Sequence, residues 1–151
     1  MNSESKELLK FIIAYIICVA SILAYSKLKC KFMNSKDIML TKIGMGVDLW
    51  GISHLLFNML IGYYFSGNYL IYAFILGCIW ELFEYLYGLM ITHHVENNIN
   101  EFSWLTDIEC NLKTDNGVWW YHKWSDIVMN TFGLIIGSYL RIKKFGKNCM
   151  I

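Results

Sequence analysis

Three stretches of this chain set ionisable or amide side chains among glycines at helical spacing. Gly51, His54, Asn58 and Gly62 fall on one helix stripe; Gly77, Glu81, Glu84, Tyr85 and Gly88 on a second; Asp126, Asn130, Gly133 and Gly137 on a third. All three lie in apolar surroundings. An ionised side chain at the centre of a lipid-embedded helix costs about 2.5–3.5 kcal/mol. Glu81 and Glu84 are therefore expected to be paired, hydrated, metal-bound or protonated, and two carboxylates one turn apart also repel each other. Such a pattern suits proton handling or cation binding. In that chemistry Glu81 or Glu84 is the general acid or base, His54 shuttles a proton or holds a metal, and Asp126 and Asn130 orient the site. A divalent cation held by His54, Glu81, Glu84 and Asp126 is compatible with these residue types, although no motif demands one. Asp48 and Lys123 are further candidates.

Plainer roles compete for the same residues. His54, Asn58 and Asn130 can serve as interhelical hydrogen-bond glue beside glycines that let backbones approach. Asp126 or its neighbour Ser125 can cap a helix. Trp80 and Tyr85 suit packing or an interfacial belt. His93 and His94 are adjacent, so on a helix they face different ways and make a poor metal pair. The conjunction on three segments favours a functional polar site, because intramembrane Asp and Glu are rare without a role.

The elements that must position these groups follow from hydropathy. The chain has 151 residues, enough for one domain, with 56% hydrophobic and 17% charged residues; soluble domains carry about 25% charge. Mean hydropathy is +0.40. A spanning helix needs about 20 mostly apolar residues, and four segments come near that: about 8–25, 43–65, 69–91 and a shorter one at 124–140, followed by Arg141, Lys143, Lys144 and Lys147. The expected fold is all-α, a single membrane domain over 1–151 built as a four-helix transmembrane bundle. Lys6 and Lys10 before the first apolar run also fit a signal peptide, but no small-residue cleavage site follows, which favours an uncleaved anchor. Ser66-Gly67-Asn68 predicts a tight turn between the second and third helices. Residues 26–42 form a lysine-rich, partly helical connection. Residues 92–123 form a long extramembrane loop, whose aromatic end (Trp119, Trp120, Tyr121, Trp124) suits a membrane surface.

In this topology Asp48, Glu81, Glu84, Asp126 and Asn130 fall in the half of the bilayer beneath the long loop, with His54 near the midplane. The basic residues divide six against seven between the two sides, so the positive-inside rule assigns no orientation. Formal net charge is +1, which excludes a basic field for nucleic acid. The five cysteines contain no CxxC pair, which argues against a zinc knuckle. Cys18 and Cys78 suit packing, and Cys30 and Cys110 fall on one side, where a disulfide is possible in principle.

The order His54, then Trp80-Glu81-Leu82-Phe83-Glu84, then an Asp126-xxx-Asn130-xx-Gly133-xxx-Gly137 helix resembles the VanZ-like membrane proteins and the YjdF-like proteins that share their layout. The resemblance covers about residues 44–140, excluding most of the long loop. It departs from the pattern where the family has an Asp four residues before the histidine: Trp50 stands there, and Asp48 lies six before. A basic residue precedes the final Asp in the family, and Lys123 is the candidate here. The resemblance implies a four-helix, multi-pass integral membrane fold and says little about chemistry.

Three functions follow as expectations. The first is binding or turnover of lipid-linked or headgroup substrates, with the bilayer as the principal partner. The second is a proton or cation transport component, disfavoured because the ionisable groups sit in one half of the membrane. The third is a noncatalytic scaffold. His54-xxx-Asn58 also resembles an element of glutamate-type intramembrane proteases, but the order and spacing of the glutamates differ. A lipid phosphatase of the acid-phosphatase type lacks its arginines, since Arg141 is the sole arginine.

Overall fold

The computed structural model describes residues 2–32, 37–44, 47–96 and 123–146. Four helices dominate: α1 (Ser3–Phe32), α2 (Leu49–Tyr64), α3 (Asn68–Glu96) and α4 (Trp124–Phe145). A 3-10 turn at Ile38–Leu40 and a hairpin of β1 (Lys42–Gly44) with β2 (Val47–Asp48) join α1 to α2. The all-α expectation thus holds apart from this short antiparallel ribbon. Most of the long loop at 92–123, with Trp119, Trp120, Tyr121, His122 and Cys110, lies outside the described residues, as do the side chains of Cys30 and His94.

Local sequence sets the helix ends. Asn2 caps α1 by accepting from the Ser5 N–H at 2.8 Å. The Asp48 carboxylate accepts from the Gly51 N–H at 3.0 Å, so α2 starts at Leu49. Hydropathy alone places the start of this helix at residue 43; the cap, and the hairpin ahead of it, move it to Leu49. Gly67 turns the chain at φ +59°, a left-handed conformation that glycine adopts without penalty, and α3 begins at the next residue. The turn expected at 66–68 is observed. Asp126 does not cap α4. Lys123 occupies the cap position without a side-chain capping bond, and Asp126 sits inside the first turn. The basic extension Lys143 and Lys144 lies in the last turn of α4, where it complements the carbonyl end of the helix.

Helices α2 and α4 pack through a seam of glycines. A Cβ on Gly62 would lie 3.0 Å from the Ser138 nitrogen, and one on Gly137 would lie 2.8 Å from the Tyr63 nitrogen. Backbone meets backbone along this line, the contact that small residues permit. Arg141 donates to the Tyr64 carbonyl at 2.7 Å and so ties the end of α4 to the end of α2. Helix α1 joins at two places. Phe11 packs with Ile61, Ala73 and Leu134, with rings of Tyr69 and Phe65 at 5.2 and 5.3 Å. At the other end Ile22 and Tyr25 pack around Ile91 with Trp50, Trp80 and Tyr87.

The outer faces are apolar. Ile16, Leu60, Leu82 and Ile135, one from each helix, are all more than half exposed. Two helices, over Glu4–Lys29 and Asn68–His93, are long and apolar enough to cross a membrane, and the rest of the described chain covers little of either. A core helix of a soluble protein has the same composition but is mostly covered. Contiguous exposed apolar surface of this extent marks an interaction with a membrane or a partner.

Candidate functional site: a three-helix polar chamber

Asp48, Asn58, Glu81, Asp126 and Asn130 are each at most 5% exposed. They gather where the beginning of α2, the middle of α3 and the beginning of α4 meet. His54 from α2, Glu81 from α3 and Asp126 from α4 each present one ligand atom, and these three atoms lie within 4.8 Å of one another. Two glycines make room for them. A Cβ on Gly51 would come within 3.4 Å of Asp126 Oδ1, and one on Gly77 within 3.0 Å of the Asn130 amide nitrogen.

Asn130 is the hub of the amide layer beside the cluster. Its Oδ1 accepts from Asn58 Nδ2 at 2.6 Å and lies 3.0 Å from His54 Nδ1. Asn58 Nδ2 also donates to the His54 carbonyl at 3.0 Å, which fixes the Asn58 amide. With Oδ1 as acceptor, the His54 ring donates from Nδ1, and in the neutral ring that tautomer leaves the lone pair on Nε2. The interhelical glue expected of Asn58 and Asn130 is therefore present, and it orients the histidine as well.

The carboxylates are held differently. Asp48 forms an ion pair with the Lys123 ammonium while its other oxygen caps α2. The Lys123 backbone N–H donates to Glu81 Oε2 at 3.1 Å. Glu81 Oε1 is buried with no hydrogen-bond partner among the described residues. Ser125 Oγ donates to Asp126 Oδ1 at 3.3 Å. Once Asp48 and Lys123 are paired, Glu81 and Asp126 remain as two buried carboxylates facing an imidazole.

Comparison with protein-family models, curated proteins and solved structures found no match to this chain.

The candidate Glu84, and His93, which the sequence already made a poor ligand, stand apart from the cluster. Glu84 Oε1 accepts from Trp80 Nε1 at 2.9 Å, on its own helix, and Glu84 is not one of the three converging groups. His93 is exposed near the end of α3. Trp80 belongs to packing, as expected, and also serves as this donor. Lys123 plays a larger part than its sequence position foretold, bonding Asp48 through its side chain and Glu81 through its backbone. A further network was not foreseen: Tyr25 donates to Asp37 at 2.6 Å, Met39 N–H donates to the same carboxylate, and Trp50 reaches it at 3.5 Å. It anchors the α1–α2 connection next to the chamber, and no local sequence signal announces it.

An apolar groove of about 640 Å³ opens beside the chamber. Its walls are α1 around Val19 and Leu23 and α3 around Ile79 and Phe83, and its polar floor is His54, Asn58 and Asn130. Ligand sites of about 300–1,000 Å³ with apolar walls and a few convergent polar groups are the common form for small molecules.

Proposed function

We propose that this chain is a four-span, multi-pass membrane protein of the VanZ-like type, and that its chamber binds the polar head of a lipid-linked substrate whose chain lies in the α1–α3 groove. The observation that carries this reading is the shared floor. His54 lines the groove and is also one of the three converging groups of the cluster, and Asn130 lines the groove and bonds His54, so an amphipathic molecule in the groove would lie against the histidine that borders the carboxylates. Outward apolar residues on all four helices support the membrane placement. Helix α2 has 16 residues, about 24 Å at 1.5 Å per residue, and crosses a core of about 30 Å only with the adjoining β2 and Phe65 segments. In this reading Glu81 and Asp126 are the acidic groups beside the bound head, and Asn130 holds the His54 ring toward them.

Transport is the weaker reading. Beyond Asn58 the α2–α4 seam closes on backbone contact at Gly62 and Gly137, with Ile61 and Leu134 buried beside it. A continuous polar track needs an opening there.

The test uses an alkyne-tagged, diazirine-bearing polyprenyl phosphate at trace level in phosphatidylcholine vesicles. Labelling at Val19 and Phe83 is expected to saturate, to fall with excess unlabelled polyprenyl phosphate, and to be lost in Ala20→Trp, which fills the groove. Uniform labelling of Val19, Phe83 and the outward-facing Ile135, insensitive to competitor, would refute the proposal.

A further inference from the structure

We infer that His54, Glu81 and Asp126 bind one divalent cation of borderline softness, zinc or manganese in type, between α2, α3 and α4. The inference deepens the chamber reading above, since it names what the same polar cluster holds.

Geometry brings together three acceptors. The Asn130 amide oxygen lies 3.0 Å from His54 Nδ1 and already accepts from Asn58, so a neutral His54 that donates from Nδ1 has Nε2 as its lone-pair nitrogen. Metal-ligating histidines are commonly oriented this way, by donating their other N–H to a carbonyl or carboxylate. Glu81 and Asp126 supply oxygens, and the three ligand atoms lie within 4.8 Å of one another. Donors at about 2.0–2.2 Å from a tetrahedral zinc are separated by roughly 3.4 Å, so a small inward movement of flexible side chains completes the set.

A second observation is independent of that convergence. Glu81 is 4% exposed, and its Oε1 has no hydrogen-bond partner among the described residues. Buried carboxylate oxygens are normally satisfied, and an unsatisfied one calls for a missing ion or water. Charge leads to the same place. Lys123 is committed to Asp48, so Glu81 and Asp126, once ionised, carry two negative charges in a low-dielectric setting. One divalent cation balances them. The mixed nitrogen–oxygen set suits zinc or manganese better than calcium, which takes six to eight oxygens. Among the described residues three protein ligands converge, the number that catalytic zinc sites use while keeping a fourth position for a small ligand.

The test is made on the full chain purified in detergent and stripped with chelator. Zinc alone and manganese alone are titrated, with magnesium as comparator, and metal content and melting temperature are recorded. The expected result is one zinc or manganese per chain with a metal-dependent rise in melting temperature. Glu81→Gln and Asp126→Asn should lose both, His54→Gln should weaken binding at least tenfold, and Glu84→Gln should retain binding. The melting shift is read within each variant, so a change in basal stability does not obscure it. A folded wild type that takes up no stoichiometric ion, or uptake that persists in the Glu81→Gln/Asp126→Asn double variant, would overturn the inference. Lipid labelling of the metal-free protein is scored separately. Labelling without ion binding removes the cation and leaves the substrate reading, and ion binding without labelling does the reverse.

Discussion

Replacing Gly133 by alanine strikes the contact on which the chamber's shape depends. A Cβ there would lie 2.9 Å from Asn58 Cβ and 2.9 Å from the Met59 nitrogen, with the Leu55 carbonyl closer still. Carbon contacts are optimal at about 3.5–4.0 Å, so the seam must widen by roughly 0.6–1 Å. Two of the opposing atoms are helix backbone, which cannot rotate aside. Overpacking of this kind costs about 1–3 kcal/mol, and the rigid neighbours place Gly133→Ala in the upper half of that range. Phe132→Ala is the matched control. Phe132 is more than half exposed, and under the proposed membrane placement its neighbours are lipid chains, so the control should change stability little. Unfolding by added SDS, followed by tryptophan fluorescence, measures both. Because His54 and Asp126 sit on the two helices forced apart, Gly133→Ala should also weaken zinc or manganese binding. If Gly133→Ala unfolds at the wild-type midpoint, or is perturbed less than Phe132→Ala, the seam does not hold these helices together.

The amide layer predicts coupling: in a double-mutant cycle, Asn58→Ala and Asn130→Ala should be non-additive by about 0.6–1.7 kcal/mol, the range for interhelical hydrogen bonds in membranes, and strict additivity would separate the two residues. Lys123→Met leaves the buried Asp48 carboxylate without its ion pair; removing one partner of a buried pair costs about 3–5 kcal/mol. The Lys123 side chain is 25% exposed, which moves the expected loss in an SDS titration to the low end. Asp48→Asn, which keeps an α2 cap, should cost less than Asp48→Ala, and equal losses would contradict the capping role.

Much of this arrangement is legible in one sequence, for definable reasons. Helical periodicity puts Gly51, His54 and Asn58 on one stripe and Asp126, Asn130, Gly133 and Gly137 on another, and those stripes meet in the α2–α4 seam. Periodicity does not separate Glu81 from Glu84, since residues three apart share a helix face. The difference arises from neighbours: Trp80 satisfies Glu84, whereas Glu81 points at Lys123 and the cluster. The start of α2 was recoverable, because an aspartate immediately before an apolar run is a common cap, but hydropathy alone carried the segment back to residue 43. Lys123 is legible as a candidate basic residue before the final helix, but not its partner. Its pairing with Asp48 spans 75 positions along the chain and depends on how α2 and α4 dock. The Tyr25–Asp37–Trp50 network is tertiary in the same sense.

The placement of the chamber within a membrane is tested most directly by the sidedness of four engineered cysteines in an otherwise cysteine-free chain, labelled in sealed vesicles with a membrane-impermeant maleimide. Ser5→Cys precedes the apolar run of α1, Thr41→Cys lies between α1 and α2, Ser66→Cys lies at the α2–α3 turn, and Lys143→Cys lies at the end of α4. Four spans predict that Ser5→Cys, Ser66→Cys and Lys143→Cys react from one side and Thr41→Cys only from the other. If Ser66→Cys reacts from the same side as Thr41→Cys, α2 does not cross, and His54 and its partners lie at the surface of the bilayer instead of within it.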